Sequence, residues 1–140
     1  MAISINFRGL DARRLSKTKS HVNINNNSTI TSVTRSEDRM EVGFVFSCNY
    51  DPNIGVIRIE GDLYVDDTVE NIENAVREWG SSEQRKLPKE MAEKVHNAIL
   101  SNCIVEASIL AREVKLPAPI PMPQVSMDKQ QEQQDTSYIR

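Results

Sequence analysis

A chain of 140 residues is long enough to bury one ordinary core without metals or disulfides. Its 17 basic and 20 acidic residues leave a net charge of −3, which supplies no basic field for nonspecific binding to nucleic acid or to an anionic membrane. With 5% aromatic residues and Trp79 as the sole tryptophan, it also lacks the repeated stacking platform of single-strand binders.

Ile3, Ile5 and Phe7 alternate with Ser4, Asn6 and Arg8, which predicts a short strand that Gly9 ends or bends. The start of the chain lacks the apolar central run of a signal peptide, since Asp11, Arg13 and Arg14 come early. Residues 10–20 are polar and basic and read as a mobile connection, because a charge run is ordinarily a solvated face rather than an anion site. Val22 and Ile24 then alternate with Asn23 and Asn25, Asn26-Asn27-Ser28 interrupts, and β-branched residues resume over 30–34. This reads as a strand broken by a bulge or turn. Asn27-Ser28-Thr29 fits the glycosylation triplet, a match too short to carry an argument.

Residues 40–65 hold the clearest pattern. Met40, Val42, Phe44, Phe46, Cys48 and Tyr50 occupy every even position of one run, and Ile57, Ile59, Leu63 and Val65 the odd positions of the next. Side chains alternate across a strand, so the two runs predict an antiparallel pair with one covered face and one wet face bearing Arg58, Glu60 and Asp62. The turn falls at residues 50–55.

Asp66-Asp67-Thr68 offers caps for a helix with Val69, Ile72, Val76 and Trp79 on one narrow stripe, closed by Gly80. After a polar linker, Leu87-Pro88 starts a long second helix that runs to about Val114, with Met91, Val95, Ile99, Cys103 and Leu110 among its apolar positions. Its second half, including Ile104, Val105 and Ile109, is apolar on more than one side. That width exceeds what one sheet can cover and predicts self-association through Ile104, Val105 and Ile109.

Prolines at 117, 119, 121 and 123 exclude helix, because each fixes its own φ and pushes its predecessor into extended space. The result is a stiff extended strap presenting Leu116, Ala118, Ile120 and Met122, without the P-x-x-P spacing of an SH3 ligand. From Ser126 the sequence is polar and glutamine-rich and reads as a disordered tail over 126–140, behind a single α+β domain over 1–125.

Catalytic and metal templates are absent from the pattern. His21 and His96 belong to no H-E-x-x-H, no C-x-x-C exists, and Cys48 and Cys103 sit in apolar runs as buried free thiols of a reducing compartment. His96 and Cys103 stand two helical turns apart, about 10 Å by the rise, too far for a thiolate pair. Glu60 and Asp62 share the wet strand face, and Asp66 and Asp67 serve as caps, so neither pair predicts a cation site. The expectation is a protein that is not an enzyme, with no cofactor and no metal.

The strands Val42-Gly43-Phe44-Val45-Phe46 and Val56-Ile57-Arg58-Ile59-Glu60-Gly61, the alanine-containing run 104–112 and Leu116-Pro117 after it resemble the SecB-like chaperone family in layout, over most of residues 3–125. The Leu-Pro-Ala-Pro-Ile-Pro run also resembles small archaeal proteins, which implies a divergent, archaeal-type member. The resemblance implies a four-stranded antiparallel sheet with a short and a long helix on one face, assembled as a dimer of dimers. It also implies an ATP-independent holdase that keeps unfolded polypeptides in apolar grooves.

On that reading Phe44, Phe46, Tyr50, Leu116, Ile120 and Met122 are the candidate polypeptide-binding residues, with the strap favoured for client contact. Ordinary core burial is the competing reading of the strand aromatics. Arg58 interrupts the acidic sheet face that bacterial members use for export, and the tail lacks their specialised end, so a transport role is not implied by these residues. The expected partners are unfolded clients, or one specific protein if the chain is an adaptor subunit. A cytoplasmic homo-oligomer, dimer or tetramer, without nucleic acid or membrane, completes the expectation.

Overall fold

The computed structural model describes residues 1–17 and 21–120. Its elements are β1 (Ala2–Arg14), β2 (Asn23–Ser36), β3 (Arg39–Asp51), β4 (Gly55–Asp66), α1 (Val69–Ser81) and α2 (Lys89–Glu113). The strands form one antiparallel sheet in the order β1-β4-β3-β2, a Greek key in which β1 returns beside β4 and β1 and β2 are the edges. The α+β class, the four strands and the short and long helices are as expected.

The central pair follows the alternation. Met40 opposes Val65, Val42 opposes Leu63, Phe46 opposes Ile59 and Cys48 opposes Ile57, and all eight are fully buried. Opposed residues share a face, so one register commits both apolar sets to the same side. Phe44 opposes Gly61. A Cβ on Gly61 would lie 2.8 Å from the Phe44 ring and 2.5 Å from the Asn6 carbonyl, so this glycine makes room for an aromatic ring and a neighbouring backbone.

Both edge strands differ from the sequence reading. β1 does not stop at Gly9 but continues to Arg14, which corrects the assignment of residues 10–14 to a connection. The register moves from Phe7↔Gly61 to Gly9↔Glu60, so Arg8 is the extra residue of a bulge. The bulge shifts the alternation by one, and Leu10 and Ala12 land opposite Ile59 and Ile57 on the face already used by Ile3, Ile5 and Phe7. In β2, Asn26-Asn27-Ser28 stays in the ladder opposite Cys48, Ser47 and Phe46. The irregularity falls later, at Thr31, and brings Val33 opposite Val42.

Thr68 caps α1, its Oγ1 accepting from the Asn71 N–H at 3.2 Å. Asp67 Oδ1 accepts from the Thr68 N–H at 2.7 Å and from Asn71 Nδ2 at 3.2 Å. The Thr68 N–H, then the Asn71 amide, hold the Asp67 carboxyl below its ordinary range. Asp66 is not a cap; it ends β4 and pairs with Arg39, Nε to Oδ1 at 2.9 Å. The helix closes on Ser82, whose N–H donates to the Glu78 carbonyl, two residues past the expected Gly80.

α2 has 25 residues, about 38 Å at 1.5 Å per residue. Met91, Val95, Ile99, Cys103, Ala107 and Ala111 are its buried positions, four apart throughout. A step of four overshoots a turn by about 40°, so the buried seam winds around the helix as it follows the sheet. Part of the apolar width seen in the sequence is this winding seam.

After α2 the chain turns through Lys115 (φ 62°) and crosses the end of the core face. Arg14 Nε of β1 donates to the Val114 carbonyl at 3.0 Å. Leu116 is buried against Gly55 of β4, where an added Cβ would meet both Leu116 Cδ atoms at 2.8 Å. Tyr50 Oη of β3 donates to the Pro117 carbonyl at 2.6 Å, and Asn26 Nδ2 of β2 to the Pro119 carbonyl at 3.0 Å. The strap thus spans all four strands and seals one end of the core.

Candidate functional site

β2 is an edge strand, hydrogen-bonded only to β3 within the sheet. Beside its edge the end of α1, the connection over 82–88 and the first half of α2 enclose a groove of about 820 Å³. Ile30, Trp79, Leu87 and Ala92 supply its apolar wall; Ser28, Thr29, His96 and Asn97 supply polar groups. A second hollow of about 530 Å³ shares Ile30, Trp79 and Arg85 and continues along β2 to Val33. The two hollows share these three residues, and the channel they outline follows β2 from Ser28 to Val33.

Sequence explains each wall. Trp79 closes the apolar stripe of α1 and is 9% exposed, and Pro88 starts α2 where its absent N–H leaves no bond unmade. On α2, Ala92 and His96 lie one position beyond the buried Met91 and Val95, which turns them to the flank of the seam. His96 Nδ1 and Ser28 Oγ lie 3.1 Å apart and tie α2 to β2. Arg85, Lys86 and Lys89 line the groove with Glu93 as the one carboxylate, and none of the four forms an ion pair among the described residues.

Of the expected site residues, Tyr50 and Leu116 are brought together at the end of the core, where Leu116 packs on Gly55 opposite Tyr50, and they form no shared exposed surface. Phe44, Phe46 and Tyr50 are at most 1% exposed, so in this protomer they pack in the core. Leu116, 6% exposed, is buried with them. Ile120 is exposed at the end of the strap, and Met122 lies outside the described residues, as does the tail over 126–140. Val105 and Ile109 remain exposed on α2, at 63% and 44%, beside the half-buried Ile104. Sequence reasoning missed the groove. The signal available was Trp79 at the end of a helix followed by a basic connection, next to a strand too polar to be central.

The chemistry on offer is recognition. The groove combines apolar contact surface with the outward backbone groups of an edge strand, which together suit an extended polypeptide. Ser28 and His96 form a hydroxyl–imidazole pair, but no third side chain orients the ring among the hydrogen bonds of the described residues. Cys48 and Cys103 are free and buried. Burial, and then Glu106, push the Cys103 thiol up to about 12, and burial also raises Cys48. No cluster of three metal-binding side chains occurs among the described residues, and no helix there is long and apolar enough to cross a membrane. On the opposite sheet face two carboxylates of β4 meet arginines: Asp62 with Arg8 at 2.9 Å and Glu60 with Arg58 at 3.1 Å.

A four-stranded Greek-key sheet with one short and one long helix on a single face has the fold of SecB-like chaperones. Among solved structures the chain is similar to the SecB-like chaperone Rv1957 of Mycobacterium tuberculosis, determined in complex with a ChAD peptide from the Rv1956 HigA1 antitoxin. The likeness has a TM-score of 0.60 at 13% identity and covers 88% of this chain and 87% of that one. No family model and no curated protein matches the sequence.

Proposed function

We propose that this protein is a SecB-like, ATP-independent holdase that binds extended apolar segments of unfolded polypeptides, and that the channel beside β2 is where it holds them. The observation that carries the reading is that channel: an apolar wall around Trp79 running along a strand edge. The similar fold of a chaperone that accepts a peptide supports it. Nothing in the role calls for a catalytic group or a cofactor, and the proposed protein is not an enzyme. Exposed Val105 and Ile109 fit a homo-oligomer joined through α2, a dimer or tetramer, working in the cytoplasm. Divergence toward an archaeal-type member, carried by the proline run, belongs to the same proposal; an export role does not, given the arginine-paired sheet face.

The test is suppression of aggregation of several unfolded substrates at stoichiometric ratio without nucleotide, by wild type and by Ala92→Glu, which places a charge in the apolar wall. Protection by wild type and its loss in the variant is expected. Failure to protect any substrate sinks the reading. A second reading, an adaptor subunit with one specific partner, is favoured by the small size of the groove and is the outcome if a single stoichiometric protein is captured and unfolded substrates are ignored.

A further inference from the structure

The strap delivers the chain to one place. The Pro119 carbonyl is held by Asn26, and the exposed Ile120 is the last described residue. Asn26 and Ser28 lie two positions apart on the same face of β2, about 7 Å along the strand, and Ser28 is a wall of the groove. The described chain therefore ends close to the mouth of the channel.

The composition of the residues that follow Ile120 matches it. Met122, Val125 and Met127 are apolar at close spacing, and Asp128, Glu132 and Asp135 follow against one lysine, Lys129. The groove presents the complement: Ile30 and Trp79 along its wall, and Arg85, Lys86 and Lys89 against a single carboxylate. From Ser28 to Val33 the channel is about 17 Å long, and eight extended residues reach about 26 Å.

The prolines add a direction. Pro117, Pro119, Pro121 and Pro123 all hold odd positions, and alternate residues of an extended chain face the same edge. Were the segment to lie extended along β2, its missing N–H groups would fall on one edge while the other kept its full set. Such a segment can pair on one side only; it terminates a sheet instead of templating another strand.

We propose that residues 121–128 occupy the channel beside β2 in the resting protein, so that a client must displace the protein's own chain. The proposal rests on reading the channel as a polypeptide site. A short tether gives a millimolar effective concentration, so even a weak segment keeps the channel mostly filled and raises the apparent Kd of a client about tenfold.

The full chain with Ser126→Cys, carrying a nitroxide, tests this, since Cys48 and Cys103 are buried and escape labelling in the native state. Paramagnetic broadening is expected at the amides of Thr29, Ile30, Lys86 and Asn97, independent of protein concentration, and its loss on adding Met122→Asp and Val125→Asp. Broadening that spares these amides overturns the proposal. So does broadening seen only when spin-labelled protein is mixed with isotope-labelled protein, which assigns the channel to a second copy. In a second arm, an extended apolar peptide should bind the Met122→Asp, Val125→Asp variant about tenfold more tightly than wild type; equal binding overturns self-occupancy. Broadening that persists with no peptide binding to either protein sinks the holdase reading and leaves the intramolecular occupant standing.

Discussion

Tyr50→Phe isolates the bond that holds the strap. The Tyr50 ring is 1% exposed and stays in place as phenylalanine, so the change removes one hydroxyl and opens almost no space. That hydroxyl donates to the Pro117 carbonyl at 2.6 Å. A hydrogen bond of this kind contributes about 1 kcal/mol net, and a carbonyl left without its donor adds to the loss in proportion to its burial. Pro117 is half-buried, so water reaches it in part and the total should be about 1–2 kcal/mol. For a domain of this length that is a fall in Tm of about 4–8 °C. Urea denaturation followed by Trp79 fluorescence should show a lower midpoint at unchanged slope. Hydrogen exchange at the Leu116 amide, which donates to the Ala111 carbonyl at 2.8 Å, should quicken with it. Asn26→Ala removes the other anchor of the same strap, and the two losses should fall short of additivity by about 0.5 kcal/mol. An unchanged midpoint together with unchanged exchange at Leu116 refutes the idea that this bond fastens the strap.

Gly61→Ala should cost about 1–3 kcal/mol by overpacking, and Phe44→Leu should rescue only part of it, because the Asn6 carbonyl would still stand 2.5 Å from the new Cβ; calorimetry of the single and double variants reads this directly. Stability should decline in alkali. Cys103 keeps its proton in the folded state to about pH 12 against an ordinary 9.0, so its contribution is complete below pH 9 and shrinks as the unfolded chain ionises first. Burial raises Cys48 and Tyr50 in the same direction, and Cys103→Ala should flatten the slope of stability measured from pH 8 to 11. Val105→Glu with Ile109→Glu should lower the assembly mass in light scattering while shifting monomer stability by no more than about 0.5 kcal/mol, as exposed positions do; an unchanged mass would remove α2 from the oligomer interface.

The centre of the sheet was readable because β3 and β4 are covered on one face along their whole length, so burial writes an unbroken alternation into residues 40–65. Edge strands carry a weaker record. At Arg8 and Thr31 a bulge shifts the phase by one, and a pattern that changes phase looks like a pattern that ends. Asn26, Asn27 and Ser28 suggested a turn from composition, yet their backbone groups pair with β3 and their side chains are free to be polar at the margin. The aromatic residues that alternation makes conspicuous, Phe44 and Phe46, are conspicuous because they are core. The groove was hidden for the opposite reason. Its residues come from β2, α1, the 82–88 connection and α2, and no local period links positions that only tertiary packing makes neighbours.

The Greek-key order also bears on how a ribosome makes this protein. Ala2 pairs with Asp66 and Arg14 with Gly55, so the first strand synthesised receives its partner last. At 5–20 residues per second, Ile3, Ile5 and Phe7 emerge about 3–13 s before the segment that shelters them. The hairpins of β2, β3 and β4 close locally in that interval, while the opening strand waits as exposed apolar chain. A protein proposed to hold unfolded polypeptides is, during its own translation, in need of the same protection.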